Sequence, residues 1–242
     1  WHIIKHIYKP EVHMRGMPKK CLLALLLCSG AANAATTFSP YVDIAIDTHW
    51  SSEYQSLEPV DLKAIAAKTG LNAFHLAFVT DSGSCQPAWA GQPDYSLANK
   101  WGQHLTDALA KQGIETTVSF GGLTGNDISM NCNSSQLVDI FTQTVSTYQA
   151  KKLDFDIENG TADVPKLMTA LTTFQQKNPD IKISLTLPVL PEGLTAAGKD
   201  VVSQAVQGDW DQPNAYPNLM RAIREAVNAA QEELLDSFFS GH

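Results

Sequence analysis

Residues 151–160 read KKLDFDIENG, with Asp154, Asp156 and Glu158 at alternate positions and Leu153, Phe155 and Ile157 between them. Side chains of a β-strand point alternately to its two faces, so the three carboxyls share one face at about 6.6 Å per step. At that spacing they influence one another's ionisation. One proton shared among them, with partial burial of the last acid, can hold Glu158 protonated near neutral pH, as a general acid requires. Two plainer readings compete: the solvated face of an amphipathic strand, or a site for a hard cation, although no His or further Asp cluster sits beside these acids. A second element precedes it: VSFGGLTGND (118–127) places Ser119, Gly121 and Gly122 at the end of another β-rich run. Alone, a Gly-Gly pair signals only a loop.

The elements that must position these residues follow a repeat. β-Rich runs begin at 41, 73, 114, 152 and 181, every thirty to forty residues. Between them lie helical patterns: one from Pro59 to Gly70, one with Leu97, Trp101, Leu105 and Leu109 on a stripe, one with Leu137, Ile140, Phe141 and Val145, and one around Leu167, Leu171 and Phe174. Five βα units predict an α/β fold with a parallel sheet and right-handed crossovers. Such a sheet is either an open doubly wound layer or a closed barrel. In an open layer the three acids would lie under helices, at a high cost for unpaired charge. Inside a barrel, near its C-terminal mouth, water and substrate reach them, so the barrel is predicted. No phosphate-binding glycine signature follows the first run, where the chain reads DTHWSSEY.

The 242 residues, 44% hydrophobic and 17% charged, suit one globular domain. Near the start, Lys19 and Lys20 precede an apolar run from Cys21 to Cys28 and then small residues ending at Ala34, the pattern of a secretory signal peptide over 17–34. Residues 1–16 read as an upstream segment outside the natural product. After cleavage there remain 12 cationic and 24 anionic residues, a balance that argues against nucleic acid and anionic membrane surfaces as partners. Cys85 and Cys132 also remain. In an exported chain an even count favours a disulfide, against the alternative of two separate buried thiols.

Taken together these stretches resemble the family 18 glycoside hydrolases, the chitinases and their relatives. The family's fingerprints are S-x-G-G on the third barrel strand and D-x-x-D-x-D-x-E on the fourth. Here SFGG stands at 119–122 and KKLDFDIE at 151–158, with Lys151 in place of the first Asp. FSPYVD (38–43), LAFVTDSGSCQPAWAG (76–91) and TLPVLPEGLT (186–195) extend the likeness to secreted bacterial members. The resemblance implies a (β/α)8 TIM barrel and hydrolysis of β-1,4-linked N-acetylglucosamine polymers by a retaining, substrate-assisted route. Glu158 would be the general acid and base, Asp156 would orient the substrate acetamide, and Asp154 would tune Asp156. No cofactor and no metal are implied. Ser119, Gly121 and Gly122 would shape the floor of the site. Trp50 and Trp89 would either stack on sugars or pack. A Cys85–Cys132 bond would brace one wall of the cleft.

A complete barrel has eight βα units and this chain shows five. After Gln207 neither a sixth strand nor the family's M-x-Y-D motif follows. Residues 35–207 therefore read as a partial catalytic barrel, and 208–242 as a divergent helical tail. That tail is either a capping helix or the product of a frameshift, truncation or fusion. The expected partner is chitin or chitooligosaccharides, with no membrane contact in the mature form and a monomeric state for a complete barrel. The rival readings are a non-catalytic N-acetylglucosamine-binding barrel and an inactive fragment.

Overall fold

A computed structural model of the chain describes residues 38–207. The expected signal peptide, the upstream segment and the C-terminal tail lie outside the described residues. The chain opens with β1 (Tyr41–Asp43), a hairpin of β2 (His49–Ser51) and β3 (Ser56–Glu58), and α1 (Leu62–Thr69). It continues through β4 (Ala73–Asp81), β5 (Pro87–Trp89), α2 (Gln103–Lys111), β6 (Glu115–Gly121), α3 (Ser134–Tyr148), β7 (Lys152–Asp156) and α4 (Val164–Lys177). Last come β8 (Lys182–Thr186), the short pair β9 (Val189–Leu190) and β10 (Gly193–Leu194), and α5 (Ala196–Gln207).

The parallel sheet runs β1-β4-β6-β7-β8, with β5 antiparallel on β4. Spatial order therefore follows chain order, without the reversal that defines a doubly wound sheet. Each helix packs against the next, from α1 to α5, so the helices form one outer layer. Tyr41 shows that the sheet is curled. Its hydroxyl reaches Asp154 on β7 at 2.7 Å and Thr186 on β8 at 2.8 Å. In a flat sheet three strand spacings would put about 14 Å between β1 and β7. Five strands thus form a barrel wall, which does not close on itself among the described residues.

Alternation along each strand builds the core. Leu153 and Phe155 of β7, Val118 and Phe120 of β6, and Phe74 and Leu76 of β4 are buried in the apolar cluster that meets the helices. Phe120, Phe141, Phe155 and Phe174 pack ring to ring, with centroids 5.1–5.9 Å apart, joining β6 and β7 to α3 and α4. Local signals set the helix ends. Asn133 and Gln136 form a reciprocal capping box on α3, and Gly70 closes α1 in the left-handed conformation.

One helix starts later than its periodicity predicts. Gly102, with φ +80, sits at the N-cap of α2, so Leu97 and Trp101 lie in the preceding turn and reach the same core from there. Cys85 and Cys132 are joined in a disulfide between the loops after β4 and β6. Asp81 organises the same wall, accepting hydrogen bonds from the backbone of Gly83, Cys85 and Gln86 and from the Asn131 side chain. Burial would raise its carboxyl, but these donors outweigh it and hold the group below the usual range.

Candidate active site

Because the helices cover the outer face, the alternate residues of each strand line the inner one. In register they form three tiers: Tyr41, His75, Thr117, Lys152 and Lys182; then Ser119, Asp154 and Ser184; then Gly121, Asp156 and Thr186. The acids of β7 thus share one face, and Glu158 follows at the C-terminal end of the strand, half-buried.

Asp154 is fully buried and caged by hydroxyls. Tyr41 and Ser119 donate to Oδ2 at 2.7 and 2.8 Å, Ser184 donates to Oδ1, and Thr186 lies at 3.3 and 3.4 Å from the two oxygens. A carboxylate surrounded by donors from three other strands is held in one orientation as an acceptor. Burial and the negative charge of Asp154 push the Tyr41 phenol well above its ordinary range, so it stays a neutral donor.

Asp156 is 5% exposed. Its carboxyl is pushed up to about 8, first by burial, then by the negative charges of Glu158 and Asp154 and a hydrogen bond with Glu158. Its Oδ1 is buried without a hydrogen-bond partner among the described residues. The sequence reading had one proton shared among the three acids; within that set, burial and the acids on either side raise the carboxyl of Asp156.

Folding therefore carries a linkage. The folded state holds a proton on Asp156 up to about pH 8, whereas the unfolded group releases it near 3.8. Stability should fall as pH rises through that window, because the folded state binds more protons there. Asp156→Asn is expected to flatten the dependence and to be the more stable protein at pH 8, by roughly 1–3 kcal/mol. Urea unfolding at pH 5 and pH 8 measures this; parallel curves for the two proteins would contradict it.

The S-x-G-G residues meet the acids directly. Ser119 reaches Asp154, and Gly121 has φ +92 and faces the main chain of Asp156, where an added Cβ would lie 2.2 Å from the carbonyl oxygen. Gly122 donates its amide to the same oxygen at 2.9 Å, and a Cβ there would meet the Phe78 ring at 3.0 Å.

Of the two tryptophans, Trp50 lies on β2 and is 61% exposed, so its ring remains available to a sugar face. Trp89 does not. It is fully buried on β5, packed edge-on against Tyr148 at 5.5 Å, with its indole N–H donating to the Tyr148 hydroxyl at 3.2 Å. Pairing β5 onto β4 turns that side chain toward α3, so its role is packing.

Sequence reasoning missed Tyr41, Ser184, Thr186, His75 and Lys152. Period-two alternation was the available signal for Lys152 on β7 and for Ser184 and Thr186 on β8, because Lys152 shares a face with Asp154, and Ser184 with Thr186. The reach of Tyr41 had no local signal.

No protein-family model matches the chain. A probable bifunctional chitinase/lysozyme of Escherichia coli K12 is 33% identical over 180 residues, covering 69% of this chain and 19% of that protein. Endochitinase 11 of Metarhizium anisopliae is 32% identical over 181 residues, covering 69% of this chain and 31% of its own length. Among solved structures, the catalytic domain of a hyperthermophilic chitinase from Pyrococcus furiosus superimposes with a TM-score of 0.61 at 32% identity, over 71% of this chain and 53% of that one. The chain thus spans about half of that domain and under a third of either curated relative. The matching region has the α/β architecture of a TIM-barrel catalytic domain.

Proposed function

Because the chain belongs to the family 18 glycoside hydrolases, we propose that its acidic strand hydrolyses β-1,4 bonds between N-acetylglucosamine units by substrate-assisted retention. The carrying observation is Asp156, which has one buried, unpartnered carboxyl oxygen and a hydrogen bond to Glu158. That oxygen suits the N–H of a 2-acetamido group, a donor that would satisfy it.

In this reading Glu158, at the open end of the strand, protonates the glycosidic oxygen. The substrate's acetamide oxygen attacks the anomeric carbon and forms an oxazolinium ion. Asp156 orients the acetamide and stabilises its growing positive charge. Asp154, held in one orientation by its hydroxyl cage, lies directly beneath Asp156 on the strand. Water opens the ring with Glu158 as base, which returns the original anomeric configuration. No protein nucleophile takes part.

A related P. furiosus chitinase domain, 31% identical to this chain, has been solved with chito-oligosaccharides bound, which supports the same class of substrate here. The Cys85–Cys132 bond supports export to an oxidising compartment, since such bonds persist there.

The test compares fully N-acetylated with deacetylated oligosaccharides and reads the product anomer by NMR. Cleavage of the acetylated oligomer alone, giving β-product first, is expected. Equal cleavage of both, or initial α-product, would overturn the route. Tight binding of the acetylated oligomer without sugar release would point instead to a binding barrel.

A further inference from the structure

The lowest tier of the inner face carries a group that the reaction above leaves unused. Of the two lysines opening KKLDFDIE, Lys151 is exposed while Lys152 turns inward, half-buried, two residues before Asp154 on the same face. Its ammonium lies 3.5 Å from Nε2 of His75. His75 is 1% exposed, and its Nδ1 meets the Ser39 hydroxyl at 2.8 Å and the Ser39 carbonyl at 3.1 Å. The Tyr41 ring leans on His75 with centroids 4.8 Å apart, and the Tyr41 hydroxyl continues to Asp154. Lys152 and Asp154 are thus joined both along the strand, about 6.6 Å apart, and through the chain His75, Tyr41, Asp154.

We propose that Lys152 is a positioning residue: from beneath Asp154 it supplies the counter-charge that keeps that carboxyl anionic, so the single proton of the acidic strand stays with Asp156 and Glu158. The proposal rests on the hydrolase reading only for its catalytic consequence.

The charges around Lys152 decide the sign. On its own strand it faces Asp154 and, one step further, Asp156. From β4 it faces His75, from β1 Tyr41, and from β8 its register partner Lys182, while β6 offers Thr117, which does not titrate. Lys182 is exposed to solvent, so its repulsion is screened. Asp154 is buried, and its attraction is not. Burial pushes the Lys152 ammonium down to about 8, against the pull of Asp154 and with the repulsion of Lys182, which still leaves it mostly charged at neutral pH. Without that charge, three carboxyls stacked on one strand would compete for the proton with no cation beneath them, and a proton taken by Asp154 would be lost to its neighbours.

The experiment titrates the carboxyls of 13C-aspartate-labelled protein by NMR, with Asp154 assigned through Asp154→Asn, beside the pH profile of chitooligosaccharide hydrolysis. In Lys152→Met the Asp154 resonance is expected to inflect about one pH unit higher than in the wild type. The acid limb of the kcat profile should move by the same amount, with KM within about twofold. Lys152→Arg should restore both. Lys152→Gln, which keeps a polar head for His75, must give the same displacement as Met and serves if Met disturbs folding. Superimposable titrations for wild type, Met and Gln, with only the unfolding midpoint lowered, would overturn the proposal and make Lys152 a packing residue. If the wild type releases no sugar, the hydrolase reading fails, and the carboxyl titration alone still decides the role of Lys152.

Discussion

Glu158→Gln is expected to lower kcat on chitooligosaccharides by about 10²–10⁴-fold, the range lost when a positioned general acid is removed, with KM nearly unchanged. Gln keeps the shape and a hydrogen bond toward Asp156 but cannot give its proton to a leaving oxygen. Glu158 sits half-buried at the end of β7, where a glycosidic oxygen can reach it, whereas Asp154 and Asp156 lie below it at 0% and 5% exposure. Steady-state kinetics on the protein and on Glu158→Gln measure the effect. Equal sugar release by both would remove Glu158 from the acid role. A fall of only a few-fold would mean that a neighbouring carboxyl donates instead. Asp156→Asn should also lose activity but should spare cleavage of substrates with activated leaving groups less than Glu158→Gln does, because it disables the acetamide step rather than the proton transfer.

Gly121→Ala should be the most destabilising single-methyl change at the site, at roughly 3–5 kcal/mol. Two costs add. The backbone φ of +92 disfavours any L side chain, and the new Cβ would stand 2.2 Å from the Asp156 carbonyl oxygen, which is main chain and cannot swing aside. The only relief is to separate β6 from β7 where Gly121 pairs with Asp156 and where Gly122 donates to that same carbonyl. Catalysis should suffer with stability, since Asp156 projects from the displaced segment. Gly160→Ala isolates the first cost: its φ is +75 and its Cβ would meet nothing within 4 Å, so a loss of about 1 kcal/mol is expected. Urea denaturation of the two variants checks the difference, and similar losses in both would show that the close approach at Gly121 carries no energy.

Much of this architecture was legible along the chain. The β-rich runs were placed at 41, 73, 114, 152 and 181, and the strands begin at Tyr41, Ala73, Glu115, Lys152 and Lys182. Runs of β-branched and aromatic residues closed by Gly or Pro are strong local signals, and each βα unit repeats them. The stripe of Leu97, Trp101, Leu105 and Leu109 was read as one helix, yet the helix starts only at Gln103. Apolar periodicity reports which residues face the core and does not report whether the turn before a Gly is helical.

Trp89 shows a different kind of gap. Its place in the segment after β4 left sugar stacking and packing both open, and the short pairing of β5 back onto β4 turns it into the helical side of the sheet, against Tyr148. The raised carboxyl of Asp156 has a related cause. Three carboxyls at alternate positions are visible in the sequence, whereas their relative depth, and hence which of them burial raises, depends on how far the strand reaches above the hydroxyl cage.

Alternation and local backbone preference along the chain were enough for the repeating βα units and for placing Asp154, Asp156 and Glu158 on one strand face. It took the folded sheet to bring β6 against β7 at Gly121, to close Tyr41 over Asp154 from β1, to complete the cage with Ser184 and Thr186 from β8, and to set Lys152 and His75 beneath it. The Tyr41 contacts join residues up to 145 positions apart, and they exist only because the sheet curls. Curvature is a property of the assembled strands that no single stretch of chain encodes.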